Sequence, residues 1–261
     1  MMRAARSAVV AGAGAAATLG FACGSSSSTS SPVADGAAGG DDAALADATG
    51  AADATDAAPL TFDLSADMSF TANPNGPWSY GYSRASTLAG AEVVLDTFVA
   101  QAPPGSFWHP GDADAGGAYY PYVAKNTQDA SAYGSMMGWS ARAGEVTVEG
   151  SALNQYGVAR FVSPVAGSFA LTFHAEGVHF NLSTTDVHVV LNDVDLFRAN
   201  IDGYGGDPTF HAIEGASPTA DFARTITLAI GDVLLFAVGT GDNGTNFNDT
   251  TGISVHLVSA S

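Results

Sequence analysis

The sequence predicts an all-β domain, an antiparallel β-sandwich of jelly-roll-like form, preceded by a signal peptide and a disordered linker. Three observations carry this reading. Apolar residues in the last 200 or so positions recur with a period of two rather than 3.6, the runs are short, and each run is closed by turn residues. No convincing amphipathic helix interrupts the pattern.

Residues 1–22 read as an export leader. Arg3 and Arg6 form a positive start and Ala8 to Gly20 a small apolar run, shorter than the roughly 20 residues a bilayer-spanning helix needs. Cys23 is the one cysteine of the chain, so an intramolecular disulfide is excluded. Residues 23–59 contain mostly Ser, Ala, Gly, Thr and Asp, with Val33 and Leu45 as the branched exceptions. Such a segment cannot bury enough apolar surface to fold, and its aspartates repel one another. It reads as a tether reaching roughly 30 Å or more by random-coil scaling. A helical reading of the alanine-rich part, Asp42 to Ala58, is opposed by Gly50 and the short polar residues.

Residues 60–261 suffice for one domain with a sizeable core. Val158 to Val162, Phe169 to Phe173, Thr185 to Leu191, Phe222 to Leu228 and Val233 to Val238 are the strand candidates. Ser163-Pro164, Ala166-Gly167, Asn192-Asp193, Asp202-Gly203 and Ile230-Gly231-Asp232 punctuate them as tight turns. The chain carries a formal charge of −18, and Lys125 is its one lysine. Counterion release requires a basic surface, so nucleic acid is excluded as a partner. The acidic surface fits solubility, cation binding or contact with neutral polymers.

Leu19-Gly20-Phe21-Ala22-Cys23 resembles the lipobox of bacterial lipoproteins, with Gly20 where that family usually has Leu. The resemblance implies acylation of Cys23, and Gly24 after it, rather than Asp, resembles lipoproteins sent to the outer membrane. The alternative is ordinary cleavage near Ala22 and a secreted, soluble protein. Five ordered motifs resemble a secreted β-sandwich domain of bacterial proteins that carry PEP-CTERM sorting tails. They are Asn73 to Tyr82, Val123 to Asn126, Ala159 to Pro164, Thr184 to Val189, and Gly231-Asp232 through Phe236 to Gly239. The resemblance runs from about Phe62 to Val258 and implies a fold and an extracytoplasmic life, not an activity. Phe161 stands where that family more often has Trp, and a sorting tail is absent after Ser261, so the lipobox would serve for surface retention.

Enzymatic motifs are missing. No serine sits in G-x-S-x-G and no H-E-x-x-H occurs. Glu145 and Glu149 are the nearest carboxylate pair of the kind a carbohydrate-active hydrolase needs, but along one strand they stand roughly 13 Å apart and read as solvated edge groups. His174, His179 and His188 with Asp186 offer a transition-metal set or, more simply, sheet-face histidines with Asp186 accepting a hydrogen bond from His188 or a turn amide. Asp242, Asn243, Asn246, Asn248 and Asp249 supply hard oxygen donors in a loop between two strands, a structural calcium site or an ordinary Asx-rich turn.

For ligand binding the aromatic residues matter most. Trp78, Tyr80 and Tyr82 alternate and so share one face, either a sugar-stacking platform or core. Trp108, between prolines and glycines, is the first choice for a rim aromatic, with a packed loop anchor as the other reading. Arg160, inside a strand, requires a carboxylate partner or an outward face, with a clamp on a carboxylate sugar as the functional reading. Together these features imply a surface-displayed, non-catalytic binding module for polysaccharide. The alternative is a structural or adhesive surface lipoprotein that contacts proteins and takes no small ligand.

Overall fold

The computed structural model describes residues 58–84, 86–90, 92–111, 120–134 and 137–260. The leader, Cys23 and most of the linker lie outside the described residues. The strands are β1 (Thr61–Asp63), β2 (Trp78–Ser83), β3 (Glu92–Val94), β4 (Thr97–Ala102), β5 (Gly105–His109), β6 (Tyr122–Lys125), β7 (Ala132–Gly134) and β8 (Trp139–Ala141). They continue with β9 (Val146–Glu149), β10 (Gly157–Val162), β11 (Gly167–Gly177), β12 (Thr184–Leu191), β13 (Val194–Asp202), β14 (Thr219–Leu228), β15 (Val233–Val238) and β16 (Thr251–Ser259). One helical turn, α1 (Leu64–Asp67), starts at Asp63, whose side chain accepts from the Ala66 amide at 2.8 Å.

The last eight strands form a jelly roll. β9 pairs β16, β10 pairs β15, β11 pairs β14 and β12 pairs β13, all antiparallel, as in one long hairpin rolled onto itself. The roll yields two facing sheets. One has the order β14-β11-β16-β9-β6-β5-β4, with β1 also on β16; the other has the order β13-β12-β15-β10-β2-β3. A β7-β8 hairpin forms a third, two-stranded sheet. The turn between β12 and β13 uses Asn192 and Asp193 at φ 46° and 65°, the left-handed pair a two-residue hairpin demands.

Period-two patterning sends one set of side chains between the sheets. Phe169, Leu171, Phe173 and Ala175 of β11 face Trp78, Tyr80, Phe161, Val187, Val189 and Phe236 of the opposite sheet in one buried cluster. Trp78 meets Phe161 edge-on at 5.1 Å, and Phe173 stacks on Phe236 at 5.9 Å. The outer faces are covered in part too. Trp139 and Ala141 of β8 pack with Phe107, Tyr122 and Ala124 on the outside of the eight-stranded sheet. That cover overturns the solvated-edge reading of Glu145 and Glu149. Val146 and Val148 face the core, so both glutamates project outward, into a covered layer where burial pushes each carboxyl up to about 7.

Asn73 holds the β2 end of its sheet. Its side-chain oxygen accepts from the Tyr80 amide at 2.8 Å, and its Nδ2 donates to the Tyr80 and Leu95 carbonyls at 2.7 Å each. At about 1 kcal/mol per bond, Asn73→Ala is expected to cost roughly 2–3 kcal/mol in urea unfolding. A loss below about 0.5 kcal/mol, the range of ordinary surface substitutions, would show that water replaces the side chain.

Candidate functional site

The outer face of the six-stranded sheet holds the candidate site. Ala159 and Phe161 of β10 point into the core, so Val158 and Arg160 emerge on the other side. The register places Ser79, Arg160, Leu235 and Val190 in one row across the sheet. Gly81, Val158, Ala237, His188 and Arg198 form the next row. Small residues at Ser79, Gly81 and Ala237 leave a trough between the larger ones.

The segment following β2 lies over this trough. Leu88 packs on the apolar patch made by Val158, Val190, Leu235 and Ala237, and the Gly90 amide donates to Asp193 at 3.2 Å. Two cavities flank Leu88. One of about 350 Å³ is lined by Arg160, Asn192, Asp193, Val233 and Leu235. The other, about 230 Å³, is lined by Tyr156, His188, Val190, Asp193 and Asp195. Apolar floor and polar rim together suit a ligand that presents both kinds of surface.

A hydrogen-bonded network stiffens one wall. Asp186 accepts from His188 Nε2 at 2.8 Å, from Tyr156 Oη at 3.2 Å and from the Gly241 amide at 2.9 Å, and Arg198 lies 3.6 Å away. Burial alone would push the Asp186 carboxyl up; the His188, Gly241 and Arg198 interactions outweigh it and hold the group below its usual value. Burial, together with the Asp186 charge, pushes the Tyr156 phenol to about 12, so it remains a hydrogen-bond donor. His188 Nδ1 is buried without a hydrogen-bond partner and lies 3.6 Å from Asp195. Gly239 sits directly beneath, where an added Cβ would collide with Asp186 Oδ1 and the Tyr156 ring.

The aromatic platform is a correction. Trp78, Tyr80 and Tyr82 are 0%, 0% and 4% exposed, because their shared face is the one turned toward the opposite sheet. The Trp78 indole N–H donates to Asp67 at 3.1 Å. Trp108 is also no rim residue. It lies in β5 opposite Val123 of β6, is 7% exposed, and donates its indole N–H to the Ser69 carbonyl at 2.8 Å. Asp112 and Asp114, which follow it in the sequence, lie outside the described residues.

The calcium donors divide among several protein partners, with Asn243 and Asp249 both at the Thr184 hydroxyl. Asp242 accepts from Asn200, Asn243 donates to Thr184 and caps the Thr245 amide, and Asn248 accepts from Asn181. Asn246 and Asp249 turn inward and are buried. Asp249 accepts from the Thr184 amide at 3.2 Å, while burial and the nearby Glu149 push its carboxyl up to about 8. The histidines separate as well. His188 is with Asp186, His174 binds Asp221 at 2.8 Å on the other sheet, and His179 accepts from the Asn181 amide. Among the described residues no group of three or more His, Cys, Asp or Glu forms a metal site.

Arg160 meets its expectation of an outward face. Lys125 donates to the Ser65 carbonyl at 2.5 Å, and burial lowers its ammonium pKa. Sequence reasoning missed Tyr156, Asp195 and the lid residue Leu88. Asn192-Asp193 was visible there as a turn, but nothing in its composition says that the turn borders a cleft.

No family model matches the chain, and no curated protein does. Among solved structures, the chain is similar to TmCBM27, a carbohydrate-binding module described for specific mannan recognition. Identity is 12%, over 77% of this chain and 96% of that one, with a TM-score of 0.33. A family 35 carbohydrate-binding module from Clostridium thermocellum is 13% identical over 41% of this chain and 72% of its own, with a TM-score of 0.25. A β-glucosidase from Kluyveromyces marxianus is 16% identical over 45% of this chain, with a TM-score of 0.25; the chain spans 12% of that enzyme.

Proposed function

We propose that this chain is a polysaccharide-binding module displayed from the cell surface, anchored through acylated Cys23 and held off the membrane by residues 23–59. Each buried methylene of the acyl chains would add about 0.8 kcal/mol to the anchor. The observation that supports binding is the Leu88-covered cleft. Half-buried Leu88 and Val233 offer apolar surface for the C–H face of a sugar, while Arg160, Tyr156 and Asp193 offer groups for its hydroxyls. The acidic charge of the chain favours a neutral polymer.

The test is a glycan array and affinity electrophoresis with chain made lipid-free by Cys23→Ser, run with calcium and with chelator. Tyr156→Ala is expected to weaken binding at least tenfold, a loss of about 1.4 kcal/mol, while Trp108→Ala acts through stability alone. Binding that survives Tyr156→Ala in a folded protein would remove the cleft from the mechanism. A second reading, a structural or adhesive lipoprotein that contacts other proteins, is favoured by the burial of the whole Trp78, Tyr80 and Tyr82 stripe. Absence of glycan binding in both conditions would make it the better one. Radiolabelled palmitate incorporated by the native chain and not by Cys23→Ser is the expected result for the anchor.

A further inference from the structure

We infer that the smaller cavity of the Leu88-covered cleft is an ammonium pocket, in which His188 Nδ1, Asp193 and Asp195 receive the free amine of an amino sugar within a partly N-acetylated polysaccharide. The inference rests on the polysaccharide reading and names the sugar that the cleft selects.

The polar lining of this cavity of about 230 Å³ is Thr87, Tyr156, His188, Asp193 and Asp195. Carboxylates only accept, so Asp193 and Asp195 have nothing to donate. The Tyr156 hydroxyl already gives its proton to Asp186, at 3.2 Å. His188 is oriented in the same sense. Its Nε2 lies 2.8 Å from Asp186 Oδ2, and Asp186, held ionised with the Gly241 amide at 2.9 Å and Arg198 at 3.6 Å, can only accept there. The ring proton therefore sits on Nε2, and in the neutral ring the lone pair is on Nδ1. An edge-on contact with the Tyr156 ring, at 5.3 Å and 86°, sets the plane of the imidazole. Thr87 apart, every polar group of the cavity calls for a donor.

The Nδ1 lone pair lacks one. His188 is 5% exposed, its Nδ1 is buried without a hydrogen bond, and Asp195 Oδ1 stands 3.6 Å away. Two acceptors at that separation repel each other, and one donor atom at about 2.8 Å from each satisfies both. Asp195 is the cover over Nδ1. Its side chain is 60% exposed, so a turn about its own χ1 opens the nitrogen to the cavity. An ammonium has the matching chemistry, with three N–H donors, no acceptor and a positive charge to set between two carboxylates. A hydroxyl has a single proton and serves one acceptor at a time. A metal such as zinc needs donors converging at about 2.0–2.2 Å, and among the described residues no three acidic, histidine or cysteine side chains are so placed.

The neighbouring cavity decides for a sugar polymer over a lysine side chain. Leu88 and Asp193 line both cavities, so an extended ligand passes under Leu88 from one into the other. Arg160 lines the larger one, where a second ammonium would be repelled. A neutral, N-acetylated sugar belongs there and a free amine in the smaller cavity. One chain that carries both kinds of sugar fills the pair, whereas a lysine side chain fills one.

The experiment is calorimetric titration of the Cys23→Ser protein in about 0.15 M salt, which screens exposed charges beyond roughly 8 Å. The probes are a half N-acetylated oligomer of β-1,4-linked glucosamine, its fully N-acetylated form, and hexalysine. The half-acetylated oligomer is expected to bind at least tenfold tighter than the acetylated one. Asp195→Asn, at an exposed position that the fold tolerates, is expected to erase that ratio. Asp221→Asn, which removes one exposed charge from the other sheet, is expected to preserve it. Nitrogen-15 spectra of His188 are expected to place the proton on Nε2 and to shift at Nδ1 with the half-acetylated oligomer. Equal affinity for the two oligomers, or binding of some other glycan alone, overturns the amine pocket and leaves the polysaccharide reading standing. Binding of no glycan at all ends both. A ratio that survives Asp195→Asn puts the amine elsewhere and overturns the site, and hexalysine bound more tightly than the half-acetylated oligomer overturns the sugar in favour of a protein partner.

Discussion

Trp78→Ala is expected to cost about 3–5 kcal/mol of unfolding free energy, the range for deleting a large buried aromatic side chain. The indole is fully enclosed, meets Phe161 at 5.1 Å and Phe236 at 6.2 Å, and ties its N–H to Asp67 beside the first helical turn. Truncation therefore opens a cavity in the buried cluster and leaves Asp67 Oδ2 with the Asp63 amide as its remaining donor. In a domain of about 200 residues each kcal/mol moves the melting temperature by roughly 2–4 °C, so a fall on the order of 10 °C is expected by calorimetry. Val194→Ala, at a 63% exposed strand position, supplies the control and is expected to change little. A folded Trp78→Ala protein with near-native stability and lost glycan binding would restore the platform reading that burial contradicts.

The strands were legible in the sequence because their cause is local. Val233 to Val238 coincides with β15, Thr185 to Leu191 lies within β12, and Phe169 to Phe173 within β11, each marked by β-branched or aromatic residues and a turn. The jelly-roll order followed less directly, since nested pairing such as β9 with β16 joins residues about 100 positions apart. Face assignment was the weak step. Alternation says that Trp78, Tyr80 and Tyr82 share a side, and only the position of the opposite sheet says that this side is core.

The site was much less legible. Tyr156 is 30 positions from Asp186 and bonded to it only after β10 and β12 flank β15, so no spacing rule finds the pair. Likewise Leu88 becomes a lid residue because the β12-β13 turn offers Asp193 to the Gly90 amide, a contact across 103 positions. Trp108 misled for the opposite reason. Prolines and glycines around it suggested an exposed loop, whereas they end a short strand whose alternation turns the indole inward.

Stability is expected to fall as pH rises from about 5 to 8. Burial raises the folded-state pKa of Glu145 and Glu149 to about 7 from an ordinary 4.5, and that of Asp249 to about 8 from 3.8. Between the ordinary and the raised values the folded protein holds protons that the unfolded chain has released. The stabilisation is complete below the unfolded values and disappears as pH climbs through the folded ones. Each group contributes on the order of 1 kcal/mol per pH unit across its own window. Asp186 acts in the other sense. Its carboxyl is held below the ordinary value by His188, so its contribution is present above about pH 4 and lost as pH falls further. The optimum is accordingly expected near pH 5, with urea midpoints declining toward pH 8. Glu149→Gln retains an oxygen to accept from Thr250, and Asp249→Asn retains one for the Thr184 amide. Both are expected to flatten the decline and to gain most over the parent at pH 8. A midpoint that rises between pH 5 and 8 in the parent protein would mean that these carboxyls are ionised in the fold, and the covered layer outside β9 would then have to admit water or a cation.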